Sequence, residues 1–414
     1  MDVNARIPMS RRDAIGLLAV APFAAHLPRS APQPPRLRRV AFGFDHGLLV
    51  EPDGTLKSWS TRETNNRSGE LGLGHTDSVE QYRLYTVPEL RNVVGAGAAR
   101  SISFALLADG RIFAWGEHDG MLGITPLEYL EVYADEGPTP KVPTEVAARV
   151  DAVDLAVGWG HTLALSRDGT VWAWGDGRNG RLGIGDLPII RFKTHDPSAM
   201  SFQPFPMRVP GLSNVVAISA GGNHSMALLR DGSIRAWGGN RYGQLGDGTT
   251  VDRWTPVPVK TSDKAVAIAC GSSWTSCAVL EDGRALEWGA LIPATRPGAT
   301  TSDAESLPVP VAGVSKGRAI VMGDDVTLVV TRAGTVSSWG LNQYKQLGHG
   351  AFTQRGLPPG MVTGLSGVHA VMARTHACIA ILDDGRIMNW GVGYGSGGDS
   401  RTPVPLKLAG LDNG

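Results

Sequence analysis

Residues 231–248 read DGSIRAWGGNRYGQLGDG, and degraded copies of this stretch recur along most of the 414-residue chain. A short strand-like segment ends in tryptophan seven times, at Trp59, Trp115, Trp174, Trp237, Trp288, Trp339 and Trp390. Successive tryptophans are 56, 59, 63, 51, 51 and 51 residues apart, which fits a unit of 51 with insertions in the earlier copies. Ahead of each tryptophan lies a pair suited to a tight turn: Asp53-Gly54, Asp109-Gly110, Asp168-Gly169, Asp231-Gly232, Asp282-Gly283, Ala333-Gly334 and Asp384-Gly385. Asp-Gly favours a two-residue hairpin because it tolerates positive φ at both central residues.

The rest of the unit follows outward from this hairpin. Residues 214–229 hold an apolar run, NVVAISAGG, and then HSMALL; residues 254–260 hold WTPVPVK. Continuous apolar runs such as VVAISA and VAIAC indicate strands covered on both faces. No helix-period stretch lies between them, which excludes a parallel sheet flanked by helices. Seven units of four antiparallel strands predict a seven-bladed β-propeller, all-β, where radial repetition leaves only short edges. The C-terminal RTPVPLKLAGLDN ends in a segment like the one that opens each unit, so the N- and C-terminal strands are expected to share one blade and close the ring.

These repeats resemble those of the regulator of chromosome condensation family, whose unit runs Gly-x-x-His-Ser/Thr, Asp-Gly, Trp-Gly and Asn-x-x-Gly-Gln-Leu-Gly. Unit four carries Gly221, His224, Ser225, Asp231, Gly232, Trp237, Gly238, Asn240, Gly243, Gln244, Leu245 and Gly246. The resemblance covers 36–414 as one domain and implies the same seven-bladed fold. The histidine position is assigned to His46, His161, His224 and His376. Repetition of one residue type at one structural position argues for local hydrogen bonding, so these histidines and the seven tryptophans are read as structural.

Residues 1–35 form a separate segment. Ser10-Arg11-Arg12 precedes an uncharged run from Ala14 to Pro28, and the arrangement resembles a bacterial twin-arginine export signal followed by a proline-rich linker. The run is too short to span a bilayer. A periplasmic or secreted protein is therefore expected, with a cytoplasmic location as the alternative.

Composition excludes several function classes. Lys+Arg and Asp+Glu both number 39, so nothing points to nucleic acid as partner. Cys270, Cys277 and Cys378 lack metal-type spacing, and no metal or cofactor is expected. The acidic pairs Asp324-Asp325 and Asp383-Asp384 could serve acid–base chemistry, but turn use explains them better. Phosphate-loop and nucleophile-elbow motifs are absent. No catalytic residue is assigned.

What remains is a surface. Units two and three carry long insertions, at 117–148 and 184–208, and Tyr129, Tyr133, Phe192, Phe202 and Phe205 within them are the candidate partner-binding residues. Trp159, Trp172, Trp254 and Trp274 lie outside the repeat position and would anchor a partner wherever they are exposed. The expected function is a non-enzymatic, monomeric propeller that binds or inhibits a protein partner through one face, as the resemblance to secreted bacterial members implies. The alternatives are guanine-nucleotide exchange on a Ras-like GTPase, the activity of the founding member, and an enzyme with its site at the propeller mouth.

Overall fold

A computed structural model describes residues 39–411, apart from 63–65, 118–120, 125–138, 186–189, 192–200, 273, 292–303, 351–352, 354–355, 375 and 393–399. Seven antiparallel sheets follow one another along the chain, and each is built from one contiguous segment. They span 39–86, 93–145, 152–208, 215–258, 265–310, 317–361 and 368–405, and are called blades one to seven. In blade four the inner strand is Val215–Ala220, followed by His224–Leu229, Ile234–Gly238 and the outer strand Arg253–Pro258. Six sheets have four strands in sequence order; blade three has a fifth, Ile190–Arg191, paired with its outer strand Ser201–Arg208.

The seven repeat tryptophans are all 0% exposed. Each of the core clusters spans residues of more than one blade: one joins Leu228, Ile234 and Leu245 of blade four to Ile268, Ala278 and Trp288 of blade five. A single blade has no core of its own, because both faces of its sheet are covered by neighbours.

Hydrogen bonds at the seams account for the repeat motif. Trp288 Nε1 donates to the Gln244 carbonyl of blade four at 2.9 Å, and Ser276 Oγ donates to the same oxygen at 2.8 Å. His224 Nε2 lies 2.8 Å from Ser276 Oγ. Since the serine hydrogen is already given to the carbonyl, the histidine is the donor, and its Nε2–H tautomer is fixed. The same relay joins His46, Ser103, Trp115 and the Glu70 carbonyl, and again His161, Ser225, Trp237 and the Arg181 carbonyl. The turn offering the carbonyl is held by its own polar side chains: Asn240 Oδ1 accepts from Leu245 N, and Gln244 Oε1 accepts from Tyr242 N. Gly246 completes it at φ +64°, where a Cβ would lie 2.8 Å from Trp288 Nε1.

Two expectations need correction. The terminal strands do not share a blade: blade seven owns its outer strand, Ser400–Pro405, and blade one begins with its own inner strand, Arg39–Phe42. The TPVP segment is each unit's own fourth strand, so seven units use all the strands available. Closure instead comes from the short stretch beyond the last strand. Ala409 N donates to Tyr82 O at 2.8 Å, Leu84 N donates to Ala409 O at 3.0 Å, and Leu406 and Leu408 join the blade-one core. His376 stands one residue ahead of the histidine position, because Ala377 faces Gly391 across the hairpin as His224 faces Gly238. Its ring is half-buried against Tyr344, with centroids 3.6 Å apart.

Candidate interaction face

In a four-stranded antiparallel blade, the link from inner to second strand and the link from third to outer strand emerge at the same end. That end of every blade forms one face of the propeller, called here the turn face. Both insertions leave from it, since each lies between a third and an outer strand: after Ile112–Gly116 in blade two and after Val171–Asp176 in blade three. Tyr129, Tyr133 and Phe192 lie outside the described residues. Phe202 is 6% exposed and packs with Phe104, Met121 and Trp174, so it belongs to the core between blades two and three. Phe205 is half-buried in the outer strand of blade three.

A different set of residues occupies equivalent positions around the turn face. The residue just before each second strand uses its carbonyl to accept the amide that follows the third strand's turn. This bond recurs in all seven blades, from Asp45, Ser101, Gly160, Asn223, Trp274, Asp325 and His376. The backbone is common to all seven, yet no side chain is repeated except the acidic one of blades one and six. Repetition in the sequence does not mark this ring, because its side chains differ from blade to blade. Its signal in the sequence is the position just before the histidine, which changes from unit to unit.

Among these, Trp274 is distinctive. It is 39% exposed and adopts φ +62°, a conformation unusual for a bulky side chain. Blade five has one residue more than blade four between its glycine and second strand, Gly271 to Thr275 against Gly221 to His224, and Trp274 is the last residue of that link. The indole lies 5.0 Å from the Tyr242 ring across the seam, and the Arg241 guanidinium sits 5.7 Å from the same tyrosine. Tyr344 and His376 repeat the arrangement two seams on. Trp254, at the start of blade four's outer strand, is 46% exposed beside Val251 at 58%. Trp159 and Trp172 are half-buried, and Trp172 packs on the core.

Titratable groups on this face are committed to local bonds. Ser272 Oγ donates to Asp324 across the seam of blades five and six. Burial, and then the neighbouring Asp324 charge, raise Asp325 to about 6. Burial, and then the Arg374 charge, pull His376 down to about 4. At the opposite end of blade seven, where its second strand turns into its third, Asp383 lies 3.4 Å from His369, and Asp384 closes the hairpin by accepting from Arg386. His46, His161 and His224 are buried in the seams rather than displayed at the channel mouth, and burial is the first cause that lowers each of them. Among the described residues no group of three or more His, Cys, Asp or Glu side chains could hold a metal ion. The three cysteines are buried thiols. Among the described residues no helix is long and apolar enough to cross a membrane.

Comparison with known proteins agrees with this geometry. The chain is 32% identical over 261 residues to the Ultraviolet-B receptor UVR8 of Arabidopsis thaliana, covering 61% of this chain and 53% of the receptor. It is 29% identical to the human E3 ubiquitin-protein ligase HERC2 over 79% of this chain, but that match spans only 7% of the ligase. The chain thus spans about half the length of the first relative and a small part of the second. The guanine nucleotide exchange factor SRM1 of Saccharomyces cerevisiae is 31% identical over 367 residues, covering 75% of this chain and 71% of that protein. Among solved structures, Prp20p from Saccharomyces cerevisiae superposes with a TM-score of 0.60 at 26% identity, covering 78% of this chain and 76% of that one. Human WBSCR16 superposes at 0.67 with 19% identity, over 83% and 93% of the two chains, which is a likeness of fold. Residues 13–354 match the family described as RCC1-like domain, and on the strength of that match and the seven blades the chain belongs to the RCC1-like domain family.

Proposed function

We propose that this protein is a binding propeller that docks a protein partner on its turn face, without catalysis of its own. The observation that carries the reading is the ring of seven equivalent positions in which the scaffold repeats and the side chains differ, with Trp274 exposed on Tyr242 as its largest member. An exposed aromatic held rigidly against another is well suited to anchor an interface, where tryptophan, tyrosine and arginine contribute most of the binding energy. The relatives support a protein rather than a small ligand: the published description of Prp20p concerns its binding to Gsp1p and histones.

The test is affinity capture with the purified propeller and with Trp274→Ala and Trp254→Ala variants. A partner retained by the native protein and lost by about tenfold or more in affinity with either variant supports the reading. Equal retention by all three places the interface elsewhere.

A second reading, nucleotide exchange on a small GTPase, draws on the 31% identity to a yeast exchange factor over most of the chain. Nucleotide release from a panel of Ras-like GTPases, measured with and without the protein, decides it. We also propose delivery outside the cytoplasm, on the Ser10-Arg11-Arg12 motif ahead of the apolar run to Pro28. These residues lie outside the described part of the structure. Fractionation of cells making the native chain and a variant carrying Arg11→Lys and Arg12→Lys checks it, with cytoplasmic retention of the variant alone as the expected result.

A further inference from the structure

The link between blades one and two departs from a pattern kept after four other blades. Beyond their outer strands the chain runs Val-Pro-Gly-Leu at 209–212, Val-Ala-Gly-Val at 311–314, Val-Thr-Gly-Leu at 362–365 and Leu-Ala-Gly-Leu at 408–411. The glycine of each stands at a φ between +74° and +86°. Residues 87–90 read Val-Pro-Glu-Leu, and Glu89 takes the same left-handed backbone at φ +65°. A Cβ on Gly211, Gly313 or Gly364 would meet nothing within 4 Å, so conformation rather than crowding selects glycine there. Glutamate at this position carries a backbone strain that glycine avoids, and strain of this kind clusters at ligand sites.

Glu89 lines a pocket of about 260 Å³ between this link and the hairpin of blade two, on the face opposite the turn face. Leu90, Leu107 and Phe113 form its apolar wall. One polar wall is closed on itself: Arg111 Nε donates to Asp109 Oδ2 at 2.8 Å, and the same guanidinium lies 5.5 Å from the Phe113 ring. The other polar wall carries Glu89 and Arg91, both exposed. Arg91 Nη1 donates to the Leu90 carbonyl at 2.8 Å, which ties the guanidinium to the link. Among the described residues, Glu89 and Arg91 form no ion pair with each other or with any other side chain. A carboxylate and a guanidinium thus face one solvent-filled pocket beside an apolar wall.

We infer that this pocket binds a free α-amino acid with an apolar side chain, its ammonium on Glu89, its carboxylate on Arg91 and its side chain against Leu107 and Phe113. A simple anion here meets Glu89 and Asp109 as well as the arginines, and a simple cation meets Arg91 and Arg111 as well as the acids. A zwitterion satisfies both signs at once, through charge-assisted hydrogen bonds. The volume lies just below the usual span of ligand pockets, roughly 300–1,000 Å³, which suits a ligand of this size rather than a larger one.

Thermal unfolding of the full chain, titrated with L-phenylalanine at constant pH and ionic strength, tests the inference. The native protein should show a saturable rise in Tm, about 3 °C at a hundredfold excess over Kd. N-acetyl-L-phenylalanine lacks the ammonium and L-phenylalanine amide lacks the carboxylate, and each should bind at least about tenfold more weakly. Glu89→Gly restores the residue of the four other links, so it should fold with little change in Tm yet bind phenylalanine at least about tenfold more weakly. Arg91→Met should weaken binding to the same degree. Circular dichroism establishes that each variant is folded, and if the methionine variant is not, the glycine variant decides. Absence of a saturable rise in the native protein overturns the inference. So does an unchanged Kd in either folded variant, or a derivative that binds as tightly as phenylalanine itself.

Discussion

At the scale of single residues, the histidine of one blade and the serine of the next form a matched pair. Where a blade has His46, His161 or His224, the following blade has Ser103, Ser225 or Ser276; where it has Ile102, Thr275, Val326 or Ala377, the following residue is Thr162, Thr327, Cys378 or Gly47. Ser276→Ala leaves the His224 Nε2–H buried without an acceptor and should cost about 1–3 kcal/mol, read as a lower urea midpoint at unchanged m-value. These histidines also set a pH dependence. Burial lowers folded His224 from 6.5 to about 3, so the unfolded chain binds the extra proton between those values, and stability falls as pH drops through this window. Burial acts oppositely on Asp154 and Asp325, raised to about 7 and about 6: their contribution is lost as pH rises from the ordinary carboxylate range. Comparing the native protein with His224→Phe cancels the carboxylates. The native chain should lose roughly 1 kcal/mol per pH unit relative to the variant between pH 6 and 4, measured by urea unfolding.

At the scale of elements, the hairpins and tryptophans were legible because they obey rules local to a few residues. Ser233 N donates to Asp231 Oδ1 at 2.9 Å, closing the Asp-Gly turn as its sequence indicates. The glycine-rich turn was legible as a turn but not as the acceptor for the next blade, since that role involves a residue 44 positions away in the pair Gln244 and Trp288. Gly246→Ala tests the turn's second duty. A Cβ there meets both an unfavourable φ and the Trp288 indole, and the expected loss is about 2–3 kcal/mol in urea unfolding. The length and aromatic content of an insertion do not distinguish Phe202, drawn into the core, from a side chain left at the surface. Trp254 and Trp274 were identified as outside the repeat, but their exposure depends on the ring assembled around them.

At the scale of the whole molecule, blade count and order followed from periodicity, whereas the manner of closure did not. Four segments per unit are consistent with either a shared or an unshared last blade, and only pairing distinguishes them. Truncation after Pro405 removes Leu406, Leu408 and the two backbone bonds of Ala409. With each leucine worth about 1.5–3 kcal/mol, it should lower stability by at least about 3 kcal/mol, checked by the urea midpoint. The same truncation leaves Trp274 and its seam untouched, so partner capture by the folded fraction should persist.

The seam relay has a direction: a blade's histidine reaches forward, and the following blade's tryptophan and serine reach back. An interface of this head-to-tail kind contains no instruction to stop, and unless its rotation closes it builds open filaments. Blade seven offers Ala377 and Arg374 where a continuing array would offer histidine and glycine, and blade one answers with Gly47 and Phe44. The final junction is thus chemically unlike the six before it. The pairing of Arg374 and Ala377 with Phe44 and Gly47 occurs once in the ring, so it marks which two blades meet at the closing junction.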